Sequence, residues 1–432
     1  MFAKAWLMGL CAWTVAAQAA PPIEHWVLAN GARVYFVASP ELPMVDVRLV
    51  FDAGSARDGG HAGLADLTNR LLGDGADGLN ADQIAQRFES QGAQFGVDVG
   101  RDTATVSLRS LSDEAMLAPA LDTLRRVVTD PRFDAADFDR ERRRMIVAAR
   151  ERQQEPDDIA EDAFYSAAYG DHPYALPPEG TVDSLQALIR DEVVAFYKHY
   201  YVGRNATLAI VGALSRERAE ALAETLIGKL PPGEPAPPLA PAAAKAKFVT
   251  VEHPSTQTHI LVGQPSLTRL DPDYFPLYVG NQILGGSGLV SRLFKEIRED
   301  RGLSYSVYSY FLPLAAKGPY VVGLQTKNDQ AREALDLARQ NLERYIAEGP
   351  TEKELKAAKD NLVGGFALRI DSNADLSAYL AVIGFYRLPL DYLDTFTGKV
   401  EAVTRDQVRA AFQRHVDPSD LATVLVGELQ PG

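Results

Sequence analysis

FGVDVGRDTATVSLRSLSDEAMLAPALDTLRRVV, residues 95–128, carries an alternating strand pattern that passes into a capped amphipathic helix. A short loop and a second, charged helix follow in DPRFDAADFDRERRRMIVAAR, residues 130–150. Farther along the chain the same order returns. YVVGLQTKNDQAREALDLARQNLERYI (320–346) repeats the strand and the first helix, and EGPTEKELKAAKDNLVGGFAL (348–368) repeats the second. The copies also close alike: TVDSLQALIRDEVVAFYKHYYVGRNATLAIVGAL (181–214) and LDYLDTFTGKVEAVTRDQVRAAFQRHVDPSDLATVLVGEL (390–429) each read helix, helix, short turn, strand. A period of about 200 residues indicates duplicated domains, because solenoid repeats run only about 20–50 residues.

Between the copies lies LPPGEPAPPLAPAAAKAK, residues 230–247, rich in Pro and Ala and almost free of large apolar side chains. It reads as a semi-rigid linker joining a domain over 20–229 to one over 248–432. Hairpin-type connections, as in residues 32–54, favour a mostly antiparallel sheet covered by helices in each half, an α+β architecture.

At 432 residues the chain exceeds what one core supports, and its composition, 46% hydrophobic and 24% charged, is that of an ordinary folded protein. Residues 1–19 stand apart. Lys4 supplies a positive n-region, AWLMGLCAWTVAA a short apolar h-region, and Ala17-Gln18-Ala19 a cleavage site, the pattern of a secretory signal. The apolar run is shorter than the roughly 20 residues of a membrane span. The expected location is therefore the periplasm. Cys11 is the only cysteine and leaves with the signal, so the exported chain has neither disulfides nor thiolate metal ligands. The formal charge of −14 becomes one unit more negative without Lys4, which disfavours nucleic acid and anionic membranes as partners.

GLADLTNRLL, residues 63–72, reads as a short helix on Leu64, Leu67 and Leu71, with Gly73 or Gly75 as its stop. Asp66, Asn69 and Arg70 fall at i, i+3 and i+4 and share one face. Asp66 and Arg70 form the favourable acid-before-base pair, worth a few tenths of a kcal/mol on an exposed surface.

Three stretches together resemble the N-terminal half of insulinase/pitrilysin-family peptidases: NGARVYFVASPELPMVDVRLVFDAGSARD (30–58), GLADLTNRLL, and GDHPYALPPEGTVDSLQAL (170–188). NQILGGSGLVSRLFKEIREDRGLSYSVYSYF, residues 281–311, resembles the matching part of their C-terminal half. The resemblance implies a two-halved clamshell. It also implies a zinc site on the helix at 63–72, where active members carry H-x-x-E-H. Residue by residue, the first His falls on Asp66, the general base on Asn69, the second His on Arg70, and the distal Glu ligand near Val147 or Ala148.

Asp66 could serve as one ligand, but together these substitutions do not preserve the chemistry. Catalytic zinc takes three His, Cys or carboxylate ligands plus water. Asn69 cannot accept a proton from water, and Arg70 offers no lone pair while placing a positive charge where the cation belongs. An ion pair between Asp66 and Arg70 is expected to fill the vacated position. The histidines, His25, His61, His172, His199, His253, His259 and His415, show no pairing at helical ligand spacing and read as surface or packing residues. The expectation is that this chain binds no metal of its own.

The C-terminal half of the family contributes an Arg and a Tyr seven residues apart that reach toward substrate. The match here is Arg298 and Tyr305, with Arg301 and Tyr308 as the nearest substitutes, and GGSG at 285–288 resembles the small-residue turn before them. A guanidinium and a phenol can donate hydrogen bonds to peptide carbonyls and to a developing oxyanion. Some branches of the family are two-chain enzymes, one subunit carrying the zinc motif and the other the Arg/Tyr pair. The resemblance therefore implies a non-catalytic subunit that pairs with a zinc-bearing homologue and takes unfolded peptides. A peptide-binding or scaffolding pseudoenzyme is the alternative.

Overall fold

A computed structural model describes residues 22–428 except residue 244. The secretory signal expected at residues 1–19 lies outside the described residues.

The first half contributes eight strands: β1 Glu24–Val27, β2 Arg33–Ala38, β3 Met44–Phe51, β4 Gly75–Ala76, β5 Leu79–Asn80, β6 Gln94–Val99, β7 Ala104–Leu111 and β8 Ala206–Gly212. Its helices are α1 Leu64–Arg70, α2 Ala81–Glu89, α3 Glu114–Thr129, α4 Ala135–Arg152, α5 Pro156–Tyr169, α6 Val182–Ala187, α7 Arg190–Tyr200 and α8 Arg216–Ile227. The second half has strands β9 Lys247–Glu252, β10 Gln257–Leu267, β11 Ser304–Phe311, β12 Gly318–Lys327 and β13 Ala422–Gly427. Its helices are α9 Tyr274–Asn281, α10 Ala331–Glu348, α11 Glu352–Gly364, α12 Asn373–Phe385, α13 Tyr392–Ala402 and α14 Arg405–His415.

The two main sheets are built on one plan. The first runs β1-β2-β8-β3-β7-β6, and the second, read from its opposite edge, runs β9-β13-β10-β12-β11. In each the closing strand pairs parallel with the first strand of the repeat, β8 with β2 and β13 with β9, while the remaining pairings are antiparallel. The duplication read from the sequence is thus a duplication of topology, with β1, the β4–β5 pair, α2 and α8 as additions to the first copy. Alternation explains the layers. Val34 and Phe36 of β2 join the core beneath α1, α3 and α4, whereas Tyr35 and Val37 face the other side.

That other side is covered by a helix from the opposite half. α12 lies on β2, β3 and β8, so its Leu380 and Ile383 share one core with Tyr35, Val50 and Val211. Reciprocally, α5 lies on β10 and β13, where Phe164 and Ala168 meet Val321, Val424 and Val426. Each fully buried aromatic or aliphatic side chain contributes about 1.5–3 kcal/mol, so the halves are joined by core rather than by rim contacts. Gly384 makes this approach possible: a Cβ there would sit 2.5 Å from Tyr35 and from Thr207.

Residues 231–243 carry neither helix nor strand. They are pinned along the seam: Gly203 and Arg204 donate backbone N–H bonds to Pro231 and Pro232, and Arg57 reaches the Pro237 carbonyl at 2.7 Å. No helix of the described residues is long and apolar enough to cross a membrane.

Candidate functional site

α1 is only seven residues long and has no side-chain cap of its own. Its starting residue, Gly63, sits at φ 91°, and a Cβ there would come within 2.8 Å of Leu185. The missing cap comes from upstream: the buried carboxylate of Asp58 accepts from the backbone N–H of Gly63 at 2.9 Å and of Ala65 at 2.8 Å. Leu64, Leu67 and Leu71 are buried, as their spacing predicts, which turns Asp66 and Arg70 toward α4.

There the two side chains line a cavity of about 250 Å³ together with Glu141, Arg144, Met145, Ala148, Arg152 and Glu179. Arg70 Nε donates to Asp66 Oδ1 at 2.9 Å, and its far nitrogen lies 3.8 Å from Glu141 Oε1. Arg144 holds the other oxygen of Glu141 at 3.0 Å. The expected ion pair is therefore present, and it belongs to a wider network in which three acids face three guanidiniums. Glu141, Arg144, Arg152 and Glu179 have no counterpart among the motif positions read from the sequence. Their signal there is spacing alone: Glu141, Met145, Ala148 and Arg152 recur at i, i+4, i+7 and i+11, one stripe of α4. The same phase separates the two residues at the distal position. Ala148 lines the cavity, whereas Val147 lies 100° round the helix and is 53% exposed.

Asn69 turns away from the cavity. Fully buried, it donates to the carbonyls of Asp98 at 3.0 Å and Thr105 at 3.1 Å and accepts from the Tyr201 hydroxyl at 3.0 Å. An amide is needed there, because a carboxylate would face two carbonyl oxygens. Asn69 thus fastens α1 to β6 and β7 and contributes no base.

The residues at the zinc positions do not fit the metal. One carboxylate oxygen, Asp66 Oδ2, is buried without a partner, but no imidazole converges on it, and Arg70 already supplies the neutralising charge. Another group of ligand-type atoms converges at Asp271, Asp273 and His415. Here Arg414 grips Asp273 through bonds of 2.8 and 2.7 Å, so a guanidinium again stands in the place of a cation.

Burial, countered by the nearby Arg70 guanidinium, pushes the Asp66 carboxyl up to about 6 from its ordinary 3.8. The folded state therefore holds this proton more firmly than the unfolded chain does. The resulting stability is complete below about pH 4 and is lost as pH rises through about 6. Relative to an Asp66→Asn variant, which has nothing to titrate there, the parent should lose roughly 2–3 kcal/mol between pH 4 and pH 7.5. Urea unfolding of both proteins at the two pH values tests this, and a constant stability difference would refute it.

In the second half the backbone aims Arg298 and Tyr305 by two local distortions. Residues Phe294–Glu299 form a π-helical turn, with the Asp300 N–H reaching the Lys295 carbonyl. At the start of β11 the register slips between Ser304 and Val307, and the Ser304 hydroxyl is held between the carbonyls of Ser306 and Gln325 at 2.6 Å each. The bulge throws Tyr305 outward, leaving it 79% exposed. The Arg298 guanidinium is thereby sandwiched, 4.6 Å from the Phe294 ring and 4.3 Å from the Tyr305 ring. No carboxylate among the described residues pairs with it. Arg301, the neighbouring alternative, is engaged with Glu333 at 3.6 Å, and Tyr308 stacks against Tyr310. Neither Arg298 nor Tyr305 lines the Asp66 cavity.

Comparison with known proteins places this geometry. Residues 33–182 match the family described as Insulinase (Peptidase family M16), and residues 187–362 match the Peptidase M16 inactive domain. Over 95% of its length the chain is similar to the whole of a solved chain described as the peptidase M16 inactive domain from Pseudomonas fluorescens, at 39% identity and a TM-score of 0.91. It is 27% identical over 401 residues to an uncharacterized zinc protease of Streptomyces coelicolor, covering 90% of this chain and 86% of that one. A protease from Helicobacter pylori, 19% identical, shares the fold at a TM-score of 0.85 over 94% of this chain and 99% of its own.

Proposed function

The chain belongs to the insulinase family, peptidase family M16, and on that premise we propose that it is the non-catalytic, substrate-binding subunit of a heterodimeric zinc metallopeptidase acting on peptides. The leader at residues 1–19 exports it to the periplasm, where it docks with a zinc-bearing homologue and encloses unfolded peptides. Arg298 and Tyr305 then serve the partner's zinc site, donating hydrogen bonds to the peptide carbonyl under attack.

One observation carries this reading. Tyr305 is exposed with the half-buried Arg298 stacked against it, no carboxylate among the described residues pairs with that guanidinium, and neither side chain lines the chain's own Asp66 cavity. Donors so arranged suit a site that another chain completes. The Asp66 cavity supports the same conclusion from the other side, because the Arg70 guanidinium occupies it, Asn69 turns away from it, and no imidazole lines it.

The purified chain should cleave no unstructured peptide and carry no stoichiometric zinc, whereas an equimolar mixture with its zinc-bearing homologue should cleave readily. Cleavage by this chain alone would overturn the proposal. A mixture no more active than the homologue alone would assign the chain to scaffolding instead.

A further inference from the structure

We propose that the seam between the two halves contains a binding site for a small multivalent oxyanion, its charges carried on carboxylate or phosphate oxygens. The inference stands apart from the peptidase reading.

A cavity of about 440 Å³ opens where the first half, the linker and the second half meet. Its size is that of a small-molecule site. Four guanidiniums line it: Arg33 and Arg204 from the first half, Arg269 and Arg387 from the second. Arg204 reaches Glu234 at 3.4 Å, but Arg33, Arg269 and Arg387 have no carboxylate at ion-pairing distance among the described residues. Asp52 lines the cavity as well and Asp102 lies beside it, and both are already committed. Asp52 is held by Arg57 through bonds of 2.8 and 2.9 Å, and Asp102 accepts from Tyr174, Tyr386 and the Ala315 amide. A surplus of positive charge in a chain of net charge −14 cannot be ascribed to composition.

Two further features show that this surplus costs the unliganded protein something. Burial, and after it the charge of Arg387, holds Arg33 below the ordinary range of a guanidinium, so the two cations stand close enough to repel. The Arg33 Nε is sealed from solvent with no acceptor. Arg387, exposed at the end of α12, occupies the left-handed region at φ 54°, where glycine would sit without strain. Three guanidiniums that wall one cavity with no carboxylate partner among the described residues are accounted for by an anion that Arg33, Arg269 and Arg387 would clasp together. Because the walls come from both halves, such a ligand would also tighten the seam.

The test titrates the full chain with citrate, inorganic phosphate and pyrophosphate, by calorimetry and thermal unfolding, against sodium chloride at matched ionic strength. Saturable 1:1 binding with a rise in Tm is expected for citrate or for a phosphate, and whichever binds more tightly assigns the source of the charge. Arg387→Gly should leave the unliganded Tm unchanged or raise it, since glycine accepts that φ, while weakening the anion at least about tenfold. Arg269→Gln provides a second variant with the same expected loss of affinity. A Tm response that sodium chloride reproduces overturns the proposal, as does binding that both variants leave intact.

Discussion

In the mixed enzyme, replacing Arg298 with Ala should lower kcat for an unstructured peptide about 10²–10³-fold, the usual loss when one donor to a developing oxyanion is removed. Two aromatic rings, Phe294 at 4.6 Å and Tyr305 at 4.3 Å, contact the guanidinium and restrict it before substrate arrives. Preorganisation of this kind acts on the transition state more than on the bound substrate, and KM should therefore move much less than kcat. Arg298→Lys keeps the charge but loses the planar fork and the stacking, and most of the defect should persist. Tyr305→Phe retains the ring over Arg298 and removes only the hydroxyl, giving a smaller loss, about tenfold. Gel filtration of each mixture separates failed catalysis from failed docking. If the Arg298→Ala subunit still assembles and the rate is unchanged, the substrate role is wrong.

The duplicated plan was legible in the sequence because each copy repeats its strand and helix patterns in the same order, and periodicity survives where identity does not. What periodicity could not reveal is which sheet a helix covers. α5 and α12 have the composition of ordinary packing helices, and nothing local in Phe164 or Ile383 says that each crosses to the opposite half. The site divides in the same way. Arg70 and Asn69 were readable as chemically unfit from their side chains alone, and so was the i,i+4 pairing of Asp66 with Arg70. The burial of that pair, and the second acid–base layer supplied by Glu141 and Arg144, depend on α4 packing over α1 and leave only a faint stripe in the sequence. Arg298 and Tyr305 stand out only through the resemblance to the family's C-terminal half. Their mutual stacking arises from a π-turn and a bulge, distortions that no helical or alternating pattern encodes.

Removing the carboxylate of Asp102 should cost about 3–5 kcal/mol of folding stability, measured by urea unfolding. This side chain, in the turn between β6 and β7, is 4% exposed and gathers donors from both halves of the chain. One oxygen accepts from the Tyr174 hydroxyl. The other accepts from the Tyr386 hydroxyl, just past α12, and from the Ala315 amide in the turn before β12, at 2.8 Å each. Tyr174 in turn accepts from the Ala316 amide at 3.1 Å, which closes the network across the seam. Truncation to Ala leaves two phenols and an amide without an acceptor in a place that water reaches poorly, and each such orphan costs about 1–3 kcal/mol. Asp102→Asn should do nearly as badly, because it turns one acceptor atom into a donor facing other donors. The distinguishing measurement is a double-mutant cycle with Tyr386→Phe. That single change removes one donor and costs about 1 kcal/mol, but combined with Asp102→Ala it removes an orphan and should restore roughly 1 kcal/mol or more. Additive losses would mean that Asp102 acts through packing and that the hydrogen bonds across the seam contribute little to holding the halves together.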